Sequence, residues 1–238
     1  MTELQLCSTM VEDEPDAPEP VAESHIGLDE AYSLKTPEDN RRLYKKWATS
    51  YEAGFVSENG YIYPLQVAAA FMDRADSAAR RVLDIGCGTG LVGVGLAELG
   101  GPRPDGLDLS PEMLDEAGRK TDSQGRPIYG DLIVGDLTAS LSLPDGAYDG
   151  IVSAGTFTHG HVGIGAFDEL YRVAADGALF AVGINSDHYE ERGFSERFRD
   201  DCDSGRISEP EIRRVPIFEA GEHVDDRAIV ASFRSTGR

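Results

Sequence analysis

The stretch Val82-Leu-Asp-Ile-Gly-Cys-Gly-Thr-Gly90 decides the fold of this 238-residue chain. A short apolar run ends in a turn with three glycines, and a second apolar segment, residues 91–99, follows. The pattern predicts a buried strand, then a turn whose glycines accept unusual backbone angles, then a helix. A ligand can approach the free N–H groups at the start of such a helix closely. We therefore expect a ligand site at this turn.

The rest of the chain repeats this alternation of strands and helices. Strands are predicted at 81–85, 106–109, 132–134, 148–153 and 178–184, with helices at 91–99, 111–120 and 164–174. Alternation of this kind is typical of βαβ units and a parallel sheet. Strands predicted at 215–218 and 228–233, with no helix between them, form a terminal hairpin, and the charged segment 187–213 is predicted to be helical. The predicted fold class is α/β: a Rossmann-like three-layer sandwich, with a mostly parallel seven-stranded sheet and a C-terminal antiparallel hairpin.

The N-terminal segments differ from this pattern. Residues 1–24 are rich in proline and acid, so we predict a disordered acidic tail. Residues 25–76 are predicted to form a helical lid or cap, and residues 77–238 the ligand-binding domain. A helix that starts near Thr36 places Trp47 and Tyr51 on one face, which either packs on the sheet or covers the ligand site. A second helix, over 64–76, is predicted to present Leu65, Ala68, Ala69 and Met72 on one face.

Composition limits the class of partner. The chain has 22 Lys and Arg against 43 Asp and Glu, a net charge of −21, and lacks the clustered bases that phosphate backbones need. We therefore expect no nucleic acid partner and a small-molecule substrate. No apolar run is long enough to span a membrane, and the start does not resemble a signal peptide. A cytoplasmic protein that is a monomer or homodimer is expected, and the three cysteines suggest no zinc site or disulfide framework.

The glycine turn has two interpretations. Gly88-Thr-Gly-Leu-Val-Gly93 matches the dinucleotide fingerprint, and Asp108 follows 20 residues after Gly88, where that fingerprint expects an acid. The alternative ligand is S-adenosylmethionine. It is favoured by Asp84, whose carboxylate suits a cationic amino acid, directly or through water, and would repel a pyrophosphate. Asp136, at the end of the third strand, can accept a hydrogen bond from an adenine amino group. The terminal hairpin also favours this second interpretation.

Several segments carry a family resemblance. Leu83-Asp-Ile-Gly-Cys-Gly-Thr-Gly90, Gly106-Leu-Asp-Leu-Ser-Pro-Glu-Met-Leu114 and Leu143-Pro-Asp-Gly-Ala-Tyr-Asp149 resemble successive motifs of class I methyltransferases. More narrowly, Phe157-Thr-His-Gly-His-Val-Gly163 and Gly221-Glu-His-Val-Asp-Asp-Arg-Ala228 resemble the Williams–Beuren syndrome region methyltransferase-like proteins. The resemblance runs from about residue 43 to residue 233. It implies S-adenosylmethionine as cofactor and S-adenosylhomocysteine as product, but it does not fix the methyl acceptor.

The resemblance also assigns roles to individual residues. The three glycines of the turn underlie the methionine end of the cofactor, Asp108 binds the ribose hydroxyls, and Asp136 binds the adenine. The alternatives are a helix cap for Asp108, a role that Ser110 already fills, and a plain turn residue for Asp136. Cys87 is expected to be a small loop side chain and not a nucleophile. The predicted cofactor-binding set is Tyr51, Asp84, Gly86, Cys87, Gly88, Gly90, Asp108, Leu109, Met113, Asp136, Leu137, Ser153 and Ala154, the last two through their carbonyls.

His159 and His161 are the predicted catalytic residues. They follow the fourth strand, and an imidazole with a pKa of about 6.5 suits proton removal from an attacking group. The alternative is a structural role in the loop, and no third ligand for a metal is identifiable. A protein side chain as acceptor, a non-catalytic cofactor-binding protein and an NAD-dependent oxidoreductase remain as alternative functions.

Overall fold

The computed structural model describes residue 56 and residues 59–76, 80–157, 162–221 and 223–237. Several predictions concern other parts of the chain. The acidic tail, the helix with Trp47 and Tyr51, and the two histidines His159 and His161 lie outside the described residues, so those predictions stand as predictions.

The described residues form six helices and seven strands in a mostly alternating order. In chain order these are α1 (Tyr63–Met72), β1 (Val82–Ile85), α2 (Leu91–Glu98), β2 (Asp105–Asp108), α3 (Pro111–Arg119), β3 (Leu132–Val134), β4 (Tyr148–Phe157), α4 (Ala166–Val173), β5 (Ala174–Asn185), α5 (Ser186–Glu191), α6 (Phe194–Asp203), β6 (Glu211–Pro216) and β7 (Arg227–Arg234).

The seven strands form one sheet in the order β3-β2-β1-β4-β5-β7-β6. Strands β1 to β5 are parallel, and β7 runs antiparallel to both β5 and β6. The chain leaves β1 toward β2 on one side and later returns to β4 on the other. Open sheets bind ligands at the carboxyl ends of the strands beside such a reversal. The predicted fold class is confirmed, and the reversal lies at the glycine turn.

The boundaries of four elements differ most from the prediction: helix α1 ends at Met72 and not at residue 76, and three strands begin or end elsewhere. Strand β4 continues from the predicted end at residue 153 to Phe157, and β5 already begins at Ala174. Strand β6 is Glu211–Pro216, although the apolar pattern predicted 215–218. Because β6 lies at the edge of the sheet, charged side chains such as Glu211 and Arg213 alternate along it, and apolarity is a poor guide there. The predicted helical segment 187–213 is therefore helical only in α5 and α6.

The apolar face predicted for α1 is only partly buried: Ala68 is fully buried, whereas Ala69 and Met72 are half-buried. Leu65 is 41% exposed, whereas Val67 and Phe71 are fully buried. The helix, Tyr-Pro-Leu-Gln-Val-Ala-Ala-Ala-Phe-Met, is apolar on nearly all sides, so its sequence does not distinguish one face from another. It packs beside α2 and against β4 and β5.

The core has a layer on each face of the sheet. On one face, α1 and α2 contribute Val67, Phe71 and Leu96 to a cluster with apolar residues of the strands. On the other face, α4 and α6 contribute Phe167 and Phe198 to a second cluster. Helix α3 packs beside β2 and β3. This is the predicted three-layer sandwich, and it holds the carboxyl ends of the strands in a fixed register.

Candidate active site

The three glycines of the turn between β1 and α2 have different neighbours. Gly86, Gly88 and Gly90 all have positive φ angles, of 62°, 53° and 95°. A Cβ atom on Gly86 would lie 2.1 Å from Thr156 Oγ1, and one on Gly90 would lie 2.7 Å from a ring carbon of Tyr129. A Cβ on Gly88 would have no described heavy atom within 4 Å. The turn is therefore closely packed at both ends and open at Gly88, where a ligand has access to the backbone.

Hydrogen bonds from β2 and β4 hold this turn in place. The N–H of Cys87 donates to the carbonyl of Leu107 at 3.0 Å. The hydroxyls of Ser153 and Thr156 both donate to the carbonyl of Ile85, at 2.8 and 2.9 Å. The side chain of Ser153 thus supports the turn from beneath. The predicted role of the Ser153 and Ala154 carbonyls in binding a cofactor remains a prediction.

Asp84 is the most unusual charged group of the site. Its side chain is fully buried, and its Oδ2 accepts a hydrogen bond of 2.6 Å from the hydroxyl of Tyr129. Its Oδ1 is also buried and has no hydrogen-bond partner among the described residues. Burial raises the pKa of Asp84 to about 7, the nearby Asp108 carboxylate also raises this pKa, and the hydrogen bond from Tyr129 lowers it. A buried carboxylate with an unpaired oxygen suits a cationic partner.

Sequence reasoning missed Tyr129. It lies 45 positions after Asp84, in the connection between α3 and β3, and is 3% exposed. Its hydroxyl also accepts the N–H of Gly93 at 3.1 Å, in the first turn of α2. The signal in the sequence is a short apolar pair, Ile128 and Tyr129, within a mostly polar connection. That signal does not indicate which residue the side chain contacts.

Asp108 ends β2 and faces the glycine turn. Its Oδ2 accepts the N–H of Gly88 at 2.9 Å, and its Oδ1 accepts the N–H of Ser110 at 2.8 Å. Burial raises its pKa, while these two hydrogen bonds lower it. Ser110 is the N-cap of α3, since its hydroxyl accepts the N–H of Met113 at 3.3 Å. A carboxylate has about four acceptor positions, so the two backbone bonds leave capacity for ribose hydroxyls.

The residues predicted to surround the adenine lie shortly after β2 and β3, and Met113 lies in the first turn of α3. Asp136 Oδ1 accepts the N–H and the hydroxyl of Thr138, at 2.8 and 2.6 Å, as an aspartate in a turn does. Leu109 is half-buried, and Met113 is 2% exposed, within the core. Leu137 borders a cavity of 540 Å³ between this turn and the start of α4. The adenine roles of these residues remain predictions.

Cys87 lies under the turn and is 5% exposed. Burial raises the pKa of its thiol well above the usual value, and the carboxylates of Asp84 and Asp108 raise it further. Since the thiolate is the reactive form of cysteine, this environment is unfavourable for nucleophilic chemistry.

The described ranges contain neither a candidate metal site nor a candidate membrane-spanning helix. These ranges contain no group of three or more His, Cys, Asp or Glu side chains that could hold a metal ion. They also contain no helix with the length and apolar character needed to cross a bilayer.

A sheet of this order, with an antiparallel hairpin after a parallel βα series and a glycine turn at the reversal, defines the class I methyltransferase fold. Residues 82–177 match a family model described as a methyltransferase domain. This segment is a methyltransferase domain, as its motifs predicted. The narrower resemblance to the Williams–Beuren syndrome region proteins is not established by these matches.

Individual relatives match over limited segments. The chain is 42% identical over 78 residues to an 18S rRNA (guanine-N(7))-methyltransferase of Arabidopsis thaliana, which covers 33% of this chain and 25% of that protein. It is 31% identical over 114 residues to ajmaline N-methyltransferase of Rauvolfia serpentina, covering 48% and 39%. The chain thus spans about a quarter to two fifths of the length of these relatives.

A solved structure extends the likeness to most of the chain. The Haemonchus contortus phosphoethanolamine N-methyltransferase 2, in complex with phosphomonomethylethanolamine and S-adenosylhomocysteine, aligns with a TM-score of 0.59 at 15% identity. The alignment covers 85% of this chain and 59% of that protein. At this identity, the likeness concerns the fold.

Proposed function

We propose that this protein is an S-adenosylmethionine-dependent methyltransferase that acts on a small-molecule acceptor and releases S-adenosylhomocysteine. The observation that carries the proposal is the pair of carboxylates at the ends of β1 and β2. Asp84 has a buried, unpaired oxygen beside the turn, and Asp108 fixes the N–H of Gly88. The matched methyltransferase domain, residues 82–177, contains both.

The residues of the site fit this cofactor. The open side of Gly88 admits the methionine part, and the Asp84 carboxylate balances its ammonium group, directly or through water. Asp108 has acceptor capacity for the ribose, and Asp136 for the adenine amino group. Thr89 Oγ1, in the same turn, is buried with no hydrogen-bond partner among the described residues, so a further polar group can also be accommodated. When bound, the cofactor supplies an electrophilic methyl group on a positively charged sulfur.

The chain contributes to the reaction mainly by orienting the reactants, and less by transferring protons. The turn is held by hydrogen bonds from β2 and β4, so the carboxylates stand in fixed positions before a ligand arrives. Holding two reactants in line is worth about 7–11 kcal/mol of barrier lowering. His159 and His161 remain the proposed general bases, and Tyr51 a proposed contact of the methionine carboxylate.

The small-molecule acceptor is proposed on electrostatic grounds. A net charge of −21 repels polyanions, and ajmaline N-methyltransferase shows by its name that a relative acts on a small molecule. The second candidate is RNA, because the relative from Arabidopsis thaliana is named as an rRNA methyltransferase. A protein side chain remains a third acceptor class, and a cofactor-binding protein without catalysis is the non-enzymatic alternative.

Calorimetry with S-adenosylhomocysteine tests the cofactor. We expect micromolar affinity for the wild-type protein. Asp108→Ala is expected to weaken binding about 5- to 150-fold, or roughly 1–3 kcal/mol, because the ribose hydroxyls and the N–H of Gly88 lose their acceptor. Asp115→Ala, an exposed aspartate on α3, is the matched control and should bind as the wild type does.

Three results would contradict the proposal in whole or in part. Tight binding of a nicotinamide dinucleotide, with no binding of S-adenosylhomocysteine, would favour the oxidoreductase alternative. Transfer of a labelled methyl group from S-adenosylmethionine to rRNA, with none to metabolite pools, would contradict the small-molecule acceptor alone. Labelled transfer to neither would favour the binding protein.

A further inference from the structure

Tyr129 connects three parts of the candidate cofactor site. Its hydroxyl donates to Asp84 Oδ2 at 2.6 Å and accepts the N–H of Gly93 at 3.1 Å. The N-cap of α2 is Gly90, which has no side chain to satisfy the free N–H groups of the first turn. The phenol of Tyr129 therefore satisfies an N–H that a capping side chain satisfies in other helices.

The ring of Tyr129 fits a slot made by glycines. A Cβ on Gly90 would lie 2.7 Å from the ring, one on Gly93 2.6 Å from Cζ and from the hydroxyl, and one on Gly106 2.9 Å from Cδ1. These three positions belong to the turn, to α2 and to β2. Side chains at any of them would push the ring out, so the glycines are required by Tyr129 as much as by a ligand.

The backbone around Tyr129 is also fixed. The N–H of Ile128 donates to the carbonyl of Lys120 at 3.1 Å, and the N–H of Gly130 donates to the carbonyl of Pro104 at 2.7 Å. The guanidinium of Arg103 donates to the carbonyl of Tyr129 itself. These backbone contacts consequently fix the position from which the phenol hydrogen-bonds to Asp84.

We propose that Tyr129 is a positioning residue, whose hydroxyl orients the Asp84 carboxyl group toward the ammonium group of the cofactor while it fixes the start of α2. The inference rests on the proposed function, since it assigns the partner of Asp84 in that same site. Tyr129 does not need to touch the cofactor for this role.

The electrostatics of the pocket agree with this role. Burial raises the pKa of Tyr129 well above its usual value, so the phenol stays a donor throughout the physiological range. Among the described residues, three titratable groups surround Asp84: Asp108 on β2, the thiol of Cys87 in the turn, and Tyr129. Asp108 raises the pKa of Asp84, and of the three only Tyr129 donates a hydrogen bond to it and lowers its pKa. The neighbouring hydroxyls on β4, Ser153 and Thr156, donate to the Ile85 carbonyl instead.

The test is S-adenosylhomocysteine binding to Tyr129→Phe between pH 5.5 and 7.5, a range that lies below the pKa of the ammonium group of a free amino acid. Wild-type affinity should fall as pH falls and Asp84 gains a proton. Tyr129→Phe should bind about tenfold more weakly at pH 7.5, and the midpoint of its pH dependence should move to higher pH. In an Asp84→Asn background, the additional effect of Tyr129→Phe should largely disappear.

Tyr171→Phe is the matched control. Tyr171 also donates its hydroxyl to a buried aspartate, Asp201, at 2.8 Å, but it lies between α4 and α6 on the other face of the sheet. This variant should lose stability without a change in affinity or in the pH midpoint. If Tyr129→Phe does not fold, Gly93→Ala crowds the ring from the helix side and should also weaken binding. Gly95→Ala, whose new methyl would meet Ala68 at 3.0 Å, is its control within α2.

The outcomes separate the two proposals. A wild-type protein that binds neither S-adenosylmethionine nor S-adenosylhomocysteine overturns the proposed function, and this inference with it. If the wild type binds, and Tyr129→Phe binds with the same affinity and the same pH midpoint, only the role of Tyr129 is overturned. If Gly93→Ala is the variant that folds, unchanged affinity likewise overturns the role of Tyr129.

Discussion

At the scale of single residues, Asp84 is fully buried, and its Oδ1 has no hydrogen-bond partner among the described residues. A buried carboxylate that lacks a cation is costly, and proteins accept that cost mainly at functional sites. Because its pKa is near 7, Asp84 is protonated at pH 5 in the folded protein. In the unfolded chain the same side chain is already ionised at that pH. Asp84, which we propose meets the cationic group of the ligand, therefore destabilises the ligand-free fold at and above neutral pH.

This conflict predicts a pH-dependent gain in stability for Asp84→Asn. Between about pH 4 and pH 7 the native wild type binds more protons than the unfolded chain does, so its free energy of unfolding falls as pH rises. Asparagine keeps an acceptor for Tyr129 but carries no charge, so the variant lacks this fall. We expect it to be more stable than the wild type by roughly 2–4 kcal/mol at pH 8, and much less so at pH 4.5.

Urea unfolding of both proteins without cofactor, at pH 4.5 and 8, measures this difference. Other titrating groups contribute similarly to both proteins, so the difference between them isolates Asp84. Parallel stability curves would mean that Asp84 is ionised in the native state at both pH values. Added S-adenosylhomocysteine should stabilise the wild type more than the variant, because a ligand that binds the folded state more tightly stabilises it more.

At the scale of elements, aromatic packing of α4 and α6 holds the end of β4. Phe157, the last residue of β4, has its ring centroid 5.2 Å from that of Phe167 and 5.8 Å from that of Phe194. Phe198 of α6 lies 5.1 Å from both Phe167 and Phe233. The carboxyl end of β4, which supports the glycine turn, is therefore fixed by helices on the far face of the sheet.

Phe198→Ala should lower the free energy of unfolding by about 3–5 kcal/mol, because it removes a ring that is 1% exposed and leaves a cavity. Chemical denaturation followed by circular dichroism measures the loss. Asp200→Ala, an exposed position in the same helix, should change stability by less than about 0.5 kcal/mol. A loss below about 1 kcal/mol for Phe198→Ala would show that α6 is loosely attached.

At the scale of the whole molecule, the described arginines are largely committed to carboxylates. Arg74 and Arg213 pair with Glu211, Arg172 pairs with Glu169, and Arg197 pairs with Asp201. Such pairs leave few basic groups for a phosphate backbone, which needs several together. The net charge of −21 adds a repulsion that extends over the Debye length, about 8 Å at physiological salt.

We therefore expect no measurable binding of duplex DNA or structured RNA in a gel-shift assay at physiological salt. The physical reason is that the chain has little positive surface with which to release counterions. A complex whose log binding constant falls linearly with the log of the salt concentration would reveal a basic surface. That result would support RNA as the acceptor instead. Single-stranded RNA with the same length and composition is the control for structure-dependent binding.

The sequence by itself determined the architecture and the position of the candidate site at the glycine turn. Strict alternation of apolar and amphipathic segments reports local structure, and parallel βα units pack in few ways, so strand content and the parallel sheet followed directly. The glycine turn and the acids Asp84 and Asp108 lie within short motifs whose chemistry is local. The edge strand β6 and the buried face of α1 could not be predicted this way, because charged edge residues and an all-round apolar helix carry no clear pattern.

Only the tertiary structure decided why Gly93 is a glycine. In the sequence it completes Gly88-Thr-Gly-Leu-Val-Gly93 and favours a dinucleotide, whereas in the fold it makes room for the ring of Tyr129. The contact joins positions 36 residues apart, and the bond from Tyr129 to Asp84 joins positions 45 apart. Side-chain contacts of this kind depend on how separate elements meet in space, and a pattern within one segment holds no information about them.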